Sequence, residues 1–361
     1  MATVSTTLPF TENETLRLDK NENPFSLPPS PREELRQTLC QVALNRYPES
    51  QSSALRASLS RYLDVKTDQV LVGNGGDELL YLIFIKLLRK EGPVLTLEPS
   101  FSEYDHLCQI FCRQRQSLPI RLSDQTFSID EEAFLDALSM YSPSLVLLDT
   151  PNNPTGMTLS SAFLERVISL APCPVLIDEA YVEFCGLSII DQFRGKPWPD
   201  NLIVLRTLSK AWGMAGLRLG YIAAAPDFIT SLETVRPPYN VNALSQEAAL
   251  ITLRYREWME SRVFSLRYIR DLFIREMNRL DGWRAFDSQA NFVLLATPWE
   301  ENRTLSFLAK ANVKARLFQL PDREECFLRL SIGKEEEMRR FLSCLEEEAT
   351  PYLELQEGAG A

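Results

Sequence analysis

One lysine, Lys210, stands among small and apolar residues in the stretch SKAWGMAGLRLGY, residues 209–221. Arg218 follows eight positions later, and glycines lie around both residues. An isolated lysine of this kind is usually a surface residue whose stem lies along apolar neighbours. In an apolar pocket with cationic neighbours, a lysine amine instead becomes neutral and can act as a nucleophile or a base. The choice depends on which other residues the fold brings to Lys210.

Histidine and cysteine chemistry has little support in this chain. His106 is the only histidine, which excludes histidine-based zinc sites and weakens any Ser-His-Asp or Cys-His interpretation. The seven cysteines have no CxxC spacing, and Cys108 and Cys112, one helical turn apart, are typical of buried thiols. We therefore expect no metal site, a reducing, cytoplasmic setting, and a base other than histidine.

Polar residues follow four apolar, β-rich runs of the sequence. Residues 74–78, NGGDE, open a helix after the first run, and the turn PNNPTG, which presents Asn153, follows the second. Asp178 and Tyr181 follow the third run, and the Lys210 stretch follows the fourth. Ligands of an open parallel sheet bind beyond the carboxyl ends of its strands, and a glycine-rich helix start can hold a phosphate. Four such strand ends together predict one site for a planar, phosphorylated ligand.

The elements that must position these residues alternate between strand-like and helix-like runs. Near-continuous apolar strands separated by helices predict an α/β fold with a mainly parallel sheet covered on both faces. The stretch VRPPYNVNA, residues 235–243, interrupts this pattern, and a long helical region, about 244–280, and a shorter α+β tail follow it. We expect an N-terminal arm at 1–30, a large domain at 31–265 and a small C-terminal domain at 266–361.

Length and charge limit the classes of partner. A chain of 361 residues exceeds the usual single-domain size, and its 45% hydrophobic content is ordinary for a globular protein. No apolar run approaches the roughly 20 residues of a membrane span, and no signal peptide is visible. A net charge of −11 argues against nucleic acid. We expect small-molecule partners, without membrane or nucleic acid.

Four motifs resemble those of the fold-type I, pyridoxal-phosphate-dependent aminotransferases: NNPTG, DEAY, TLSKAWGMAGLRLGY and FLRLSIG. Four more, LDKNENPF, NRYPE, GNGGDE and VRPPYNVN, resemble the histidinol-phosphate aminotransferase branch of that family. The resemblance runs from about residue 16 to about residue 345, in family order and spacing. It implies pyridoxal 5'-phosphate as cofactor.

The resemblance also implies a role for individual cofactor-binding residues. Lys210 would bind the cofactor aldehyde covalently and, once released, would carry a proton from the substrate Cα. The cofactor phosphate would be held by Thr207, Ser209, Arg218 and the helix start at Gly75, Gly76 and Asp77. Asp178 would face the pyridine nitrogen, Tyr181 and Asn153 would bond the ring's phenolic oxygen, and Phe101 would stack on the ring.

Substrate residues and the dimer follow from the same resemblance. Arg329 and Arg316 would receive the anionic end of the substrate, since a forked guanidinium can bind a carboxylate or a phosphate in the same place. Asn23 and Asn153 complete the expected substrate set, Asn23 lying with Asn21 and Glu22 on an arm that closes the site. Tyr47 would reach the partner's cofactor phosphate in a homodimer with shared sites; the alternative is a tyrosine packed on Pro48.

The N-terminal arm departs from the branch in one respect. Members usually carry a tyrosine there in a PY element that touches the substrate phosphate, whereas this chain has Pro9-Phe10, and phenylalanine cannot donate that hydrogen bond. We expect transamination between L-histidinol phosphate and 2-oxoglutarate, giving imidazole-acetol phosphate and L-glutamate, in histidine biosynthesis. The alternatives are an aromatic amino-acid aminotransferase, a threonine-phosphate decarboxylase and, remotely, a non-catalytic regulatory domain that binds the cofactor.

Overall fold

The computed structural model describes residues 15–87, 90–123, 125–320 and 323–357. The departure at Pro9-Phe10 lies outside these residues. Within them the strands are β1 (Leu16–Arg17), β2 (Val70–Gly73), β3 (Val94–Glu98), β4 (Arg115–Pro119), β5 (Arg121–Ser123), β6 (Thr126–Ser128), β7 (Leu145–Asp149), β8 (Val175–Asp178), β9 (Leu202–Thr207), β10 (Gly220–Ala224), β11 (Arg284–Ala285), β12 (Phe292–Ala296), β13 (Val313–Lys314), β14 (Arg316–Phe318) and β15 (Phe327–Ser331).

The α-helices of the same ranges pack on both faces of the larger sheet and around the smaller one. They are α1 (Pro29–Leu39), α2 (Ser53–Leu63), α3 (Gly75–Lys86), α4 (Ser102–Ile110), α5 (Glu131–Tyr141), α6 (Ser161–Leu170), α7 (Val182–Cys185), α8 (Pro226–Glu233), α9 (Ala243–Leu253), α10 (Arg256–Met277), α11 (Glu301–Lys310) and α12 (Glu335–Glu357). No helix in the described ranges is long and apolar enough to cross a membrane.

The larger sheet, as described, has seven strands in the order β2-β10-β9-β8-β7-β3-β4. Its inner neighbours pair in parallel, and only β10 runs antiparallel, against β2 and β9. Successive residues of β7 bury their side chains on opposite faces: Val146 and Leu148 in one apolar cluster, Leu145 and Leu147 in the other. A sheet covered on both faces needs such continuous apolar strands, and the α/β fold predicted from them is confirmed.

The topology gathers the polar strand ends at one edge. β2, β7, β8 and β9 point the same way, so the residues that follow them emerge together. Because β10 is reversed, its first residue, Gly220, lies at that edge too. A Cβ on Gly220 would lie 2.5 Å from the backbone nitrogen of Gly76, so only glycine permits this approach of β10 to α3.

A second, antiparallel sheet of four described strands, in the order β11-β12-β15-β14, stands beside the first. The chain's first described strand, β1, pairs in parallel with β13, with the Leu16 amide donating to Asn312 O at 2.9 Å. The expected domain boundary at 265/266 falls inside α10, and the division into arm, large and small domains stays a prediction. The helical region at about 244–280 comprises two helices, α9 and α10, separated at Arg254–Tyr255.

Candidate active site

A cavity of about 300 Å³ lies at the carboxyl edge of the seven-stranded sheet. Of the residues expected there, twelve line it: Gly76, Asp77, Phe101, Asn153, Asp178, Tyr181, Thr207, Ser209, Lys210, Arg218, Arg316 and Arg329. Gly75, Asn23 and Tyr47 do not line it. The wall also includes Asn21, which was expected on the arm that closes the site. It further includes residues to which no role was assigned from the sequence: Asp19, Lys20, Leu80, Tyr104, Asp149, Ala180, Leu205 and Arg206.

Lys210 faces this cavity. The chain turns after β9, and the Met214 amide donates back to Leu208 O at 2.9 Å, which presents Lys210 at the sheet edge. Its Nζ donates to Lys20 O at 2.9 Å and lies 5.6 Å from the centre of the Tyr181 ring. The half-buried lysine therefore places its amine in the cavity wall beside a phenol.

One end of the cavity is built from anion-binding groups. Helix α3 begins at Gly75, whose φ of +87° requires glycine, and the first-turn amides of a helix have no partner within it. Arg218 Nη2 would lie 2.8 Å from a Cβ at Gly75, so the guanidinium lies directly against this helix start. Thr207 Oγ1 donates to Ser209 Oγ at 2.9 Å nearby. Hydroxyls, a guanidinium and helix amides together suit a phosphate.

Arg218 has a partner at the same end. Its Nη2 donates to Asp77 Oδ2 at 2.6 Å, and both side chains are half-exposed. The Asp77 carboxylate thus holds the guanidinium in place at the mouth of the cavity, while the Asp77 backbone amide belongs to the first turn of α3.

Asp178, at the end of β8, is held by two hydrogen bonds. Its Oδ2 accepts from the Tyr104 hydroxyl and its Oδ1 from the Ala180 amide, each at 2.9 Å. Burial raises the pKa of Asp178 to about 6, although these bonds oppose the shift. A cation next to this carboxylate would lower that pKa again, which is what a protonated pyridine nitrogen would do.

A second buried carboxyl, Asp149, ends the neighbouring strand β7 and is the register partner of Asp178. It accepts from Asn152 Nδ2 and from the Asn153 amide, each at 2.9 Å, and so fixes the turn that presents Asn153. Burial raises the pKa of Asp149 to about 7. Neither Asp149 nor Tyr104 was predicted from the sequence, although each had a signal there. Asp149 ends an apolar run as Asp178 does, and Tyr104 lies on α4, three residues after Phe101.

Arg329 and Arg316 lie opposite each other on β15 and β14. Arg329 is 3% exposed, donates to Asn153 Oδ1, and lies 5.4 Å from the ring centres of Phe292 and Phe318. Burial lowers the pKa of its guanidinium to about 10, and its Nε has no hydrogen-bond partner among the described residues. Arg316 is more exposed and donates to Ser102 Oγ at 3.1 Å.

Three consecutive backbone carbonyls accept hydrogen bonds from side chains, two of which line the cavity. We call the segment Asp19–Asn21 the N-terminal strap: Asp19 O accepts from Arg329 Nη2 at 2.7 Å, Lys20 O from Lys210 Nζ at 2.9 Å, and Asn21 O from Asn291 Nδ2 at 3.0 Å. The chain turns at Asn21, whose φ is +53°. This turn brings Asn21 to the cavity wall, whereas the expected Asn23 donates to Ala211 O at 3.0 Å.

Tyr47 lies away from the cavity of its own chain. It is 82% exposed and stacks on Tyr239, with ring centres 4.6 Å apart. Its expected role toward a partner's site stays a prediction.

Comparison with known proteins assigns the chain to a family. The family model for aminotransferases of class I and II matches residues 13–345. The chain belongs to this family. A relative named histidinol-phosphate aminotransferase, from Desulfitobacterium hafniense (strain Y51), is 33% identical over 336 residues, which are 92% of this chain and 91% of the relative.

Two solved structures share the fold of this aminotransferase. The histidinol-phosphate aminotransferase from Clostridium acetobutylicum has a TM-score of 0.82 at 24% identity, covering 93% of this chain and 99% of that one. The L-threonine-O-3-phosphate decarboxylase from Porphyromonas gingivalis has a TM-score of 0.78 at 24% identity, with the same coverage of 93% and 99%. An aminotransferase and a decarboxylase share this architecture, so fold alone does not choose the reaction.

The residues present fit pyridoxal 5'-phosphate. The buried carboxyl of Asp178 suits a pyridinium nitrogen, and the Gly75–Gly76 helix start with Arg218 suits the phosphate. The amine of Lys210 and the phenol of Tyr181 line the same cavity. Side chains at Gly75 or Gly220 would fill the phosphate end, because a Cβ there would lie 2.8 Å from Arg218 Nη2 or 2.5 Å from Gly76 N.

Proposed function

We propose that this protein is a pyridoxal-5'-phosphate-dependent aminotransferase that moves an amino group between L-histidinol phosphate and 2-oxoglutarate. The observation that carries the proposal is the meeting of Lys210, Asp178 and Arg329 in one cavity, on a chain 33% identical to a histidinol-phosphate aminotransferase over 92% of its length. The products are imidazole-acetol phosphate and L-glutamate, in histidine biosynthesis.

The cofactor, when bound, withdraws electrons from the substrate Cα and makes its proton acidic. Lys210 Nζ is the base that takes this proton, since no histidine lines the cavity and the amine lies inside it. Asp178 supplies a fixed negative charge, held by Tyr104 and the Ala180 amide. Thr207, Ser209, Arg218 and the amide of Gly76 bind the phosphate dianion, with Gly75 and Asp77 shaping that end.

The remaining wall residues hold the reacting groups in place and exclude water. Phe101 presents its ring to the cavity and is held edge-on by Tyr104, with ring centres 5.7 Å apart. Tyr181 offers a hydroxyl, and Asn153 an amide that already binds Arg329. Arg329 and Arg316 bind the anionic end of each substrate, a carboxylate in glutamate and a phosphate in histidinol phosphate. Asn23 supports the turn at Ala211 beside Lys210.

The location, the oligomeric state and the domain division of the protein belong to the same proposal. We place the enzyme in the cytoplasm as a homodimer in which Tyr47 completes the partner's phosphate site. Each chain would consist of an arm at 1–30, a large domain at 31–265 and a small domain at 266–361.

One observation favours a second reaction. Arg316 and Arg329 are register partners, so two cations face the same end of the cavity. Histidinol phosphate carries a single anionic group, whereas L-threonine phosphate carries a phosphate and a carboxylate, as glutamate carries two carboxylates. Decarboxylation of threonine phosphate is therefore the second candidate, and it shares the same cofactor site.

The deciding experiment is a substrate panel on the purified holoenzyme. Histidinol phosphate, phenylalanine and threonine phosphate are each supplied with 2-oxoglutarate, and glutamate and carbon dioxide are measured. We expect glutamate from histidinol phosphate at the highest kcat/KM. Carbon dioxide from threonine phosphate would select the decarboxylase, and preference for phenylalanine the aromatic aminotransferase.

A second measurement tests Lys210 alone. Borohydride treatment should attach the cofactor covalently to the wild-type chain, with Lys210 in the labelled peptide. Lys210→Ala should lose both the label and turnover. Turnover of Lys210→Ala at the wild-type rate would show that the reaction uses another base.

A further inference from the structure

Asn21 is a buried polar residue in an unusual backbone conformation. It is 1% exposed and has a φ of +53°, in the left-handed region that asparagine tolerates better than most residues. Its backbone amide donates to Ser331 Oγ at 2.7 Å, and its carbonyl accepts from Asn291 Nδ2 at 3.0 Å. Ser331 lies on β15 and Asn291 directly precedes β12, so the backbone of Asn21 is attached to the four-stranded sheet.

These contacts also fix the orientation of the Asn21 side chain. Ser331 Oγ accepts the Asn21 amide proton and lies 3.2 Å from Asn21 Oδ1. Ser331 donates its single hydroxyl proton to Oδ1, so its Oγ accepts from the Asn21 backbone and donates to the Asn21 side chain. The other end of the amide, Nδ2, donates to the Tyr181 hydroxyl oxygen at 2.9 Å.

The hydrogen bond from Asn21 restricts the rotation of the Tyr181 hydroxyl. The ring packs edge-on against Phe292, with ring centres 5.1 Å apart, so the ring itself is held from the β12 side. Since Oη already accepts from Asn21, its own proton points elsewhere, and no described residue accepts it. The cavity, which Tyr181 lines, is the place that remains for that proton.

We propose that Asn21 is a positioning residue: its amide directs the Tyr181 hydroxyl proton into the cavity, and its bonds to Ser331 and Asn291 tie that direction to the four-stranded sheet. The proposal rests on the proposed function in one respect, the assignment of the Tyr181 hydroxyl to the cofactor ring. It gives the N-terminal strap a chemical task besides covering the site.

Two substitutions distinguish the role of the Asn21 side-chain amide from that of its backbone conformation. Asn21→Gly keeps the left-handed conformation and removes the amide, whereas Asn21→Ala removes the amide and also strains the backbone. Each is made in the wild-type chain, and Asn21→Gly also in a Tyr181→Phe chain. The measurements on holoenzyme are the pH midpoint of the bound cofactor's visible absorbance, the melting temperature, and kcat and KM for both substrates.

We expect both Asn21 substitutions to change the pH midpoint of the bound cofactor's absorbance in the same way. Asn21→Gly and Asn21→Ala should both shift the absorbance midpoint by about half to one pH unit, since a neutral hydrogen bond contributes a modest free energy. They should lower kcat about three- to tenfold with little change in KM. Only Asn21→Ala should lose additional thermal stability, and in the Tyr181→Phe chain Asn21→Gly should cause no further shift.

Two results would overturn the proposal. If Asn21→Gly keeps the wild-type midpoint while Asn21→Ala does not, the residue serves only the backbone turn. If Asn21→Gly shifts the midpoint equally with and without the Tyr181 hydroxyl, it does not act through that group.

The adjacent Glu22→Gln variant is the matched control. Glu22 directly follows the N-terminal strap and pairs with Arg17 at 3.0 Å, away from Tyr181, so its change should leave the midpoint at the wild-type value. The absorbance test remains valid if the substrate panel fails, because the midpoint reports on the cofactor and not on turnover. A wild-type protein that turns over none of the panel would contradict the proposed function alone.

Discussion

At the scale of single residues, Tyr104 donates a hydrogen bond to Asp178, the carboxylate that we propose faces the cofactor ring. It is fully buried, and burial raises the pKa of its phenol well above the ordinary value, so it stays a hydrogen-bond donor. Its bond to Asp178 Oδ2 stabilises the charged form of that carboxyl. Tyr104 thereby helps to keep Asp178 ionised in a buried site.

The variant Tyr104→Phe should therefore weaken cofactor binding most at acidic pH. Loss of the donor raises the pKa of Asp178 above its present value of about 6, so the carboxylate protonates earlier as pH falls. We expect the Kd for pyridoxal 5'-phosphate to rise by about three- to thirtyfold at pH 6 and by less at pH 8. Fluorescence titration of cofactor-free protein measures this. Tyr221→Phe is the control, because Tyr221 is equally buried in β10 but lies outside the cavity wall. An equal rise in Kd for this variant would attribute the effect to packing.

Arg329 permits a second prediction at this scale. If its guanidinium binds both the glutamate carboxylate and the substrate phosphate, Arg329→Ala should lower kcat/KM in both half-reactions by roughly ten- to a few-hundred-fold. Arg329→Lys should recover little, since an ammonium cannot form the bidentate pair. Stopped-flow measurement of each half-reaction tests this. Loss with glutamate alone would assign the phosphate to Arg316, and lost thermal stability with normal single-turnover rates would make Arg329 structural.

At the scale of elements, the adjacent strands β7 and β8 end in two buried carboxyls. Burial raises the pKa of Asp149 from 3.8 to about 7, so the protein binds this proton more tightly when folded than when unfolded. The resulting stability is fully present below pH 4 and is lost as pH rises through 7. Asp149 faces Asp178, Asn152 and Asn153, and none of these three residues carries a positive charge.

Asp149→Asn should accordingly flatten the stability profile of the cofactor-free protein. A shift of three pKa units corresponds to on the order of 4 kcal/mol in the free energy of unfolding. This figure is an upper bound, because the variant also alters the bonds to Asn152 and Asn153. Chemical denaturation at pH 4, 6 and 8 should show wild type losing stability relative to the variant as pH rises. The exposed Asp136→Asn, on α5, should follow wild type. Parallel curves for Asp149→Asn and wild type would contradict the raised pKa.

Strands with two buried faces were predictable, because each shows as an apolar run followed by a polar turn. The edge strand β4 was not, since Arg115–Pro119 is only partly buried and carries Arg115 and Gln116 within a polar sequence. The residues around Lys210 were predictable for the same reason, because they follow the apolar run that forms β9. The strap was missed in its detail: backbone carbonyls of Asp19 and Lys20 have no sequence signature, and only the turn at Asn21 shows which side chain reaches the cavity.

At the scale of the whole molecule, the exposed Tyr47 tests the homodimer. A chain with Lys210→Ala and a chain with Tyr47→Ala, each inactive alone, should regain activity when mixed, because one site of each hybrid has both wild-type groups. Random exchange of subunits gives about a quarter of intact sites. The assay requires proof of hybrids by mass and of severe damage by Tyr47→Ala alone. Hybrids without activity would place Tyr47 in its own chain's structure, stacked on Tyr239.

The pairing of β1 with β13 has a consequence for the order in which the site is made. Thr15 and its partner Asn312 are 297 residues apart, so the ribosome releases the first strand long before the second exists. The strap that follows β1 also waits for Ser331 and Arg329, which are synthesised 310 residues after their partners Asn21 and Asp19. A nascent chain stalled at residue 310 therefore contains Lys210, Asp178 and the helix start at Gly75 but not the residues that hold the strap over them. The wall that the strap forms can be completed only after residue 331 has been synthesised.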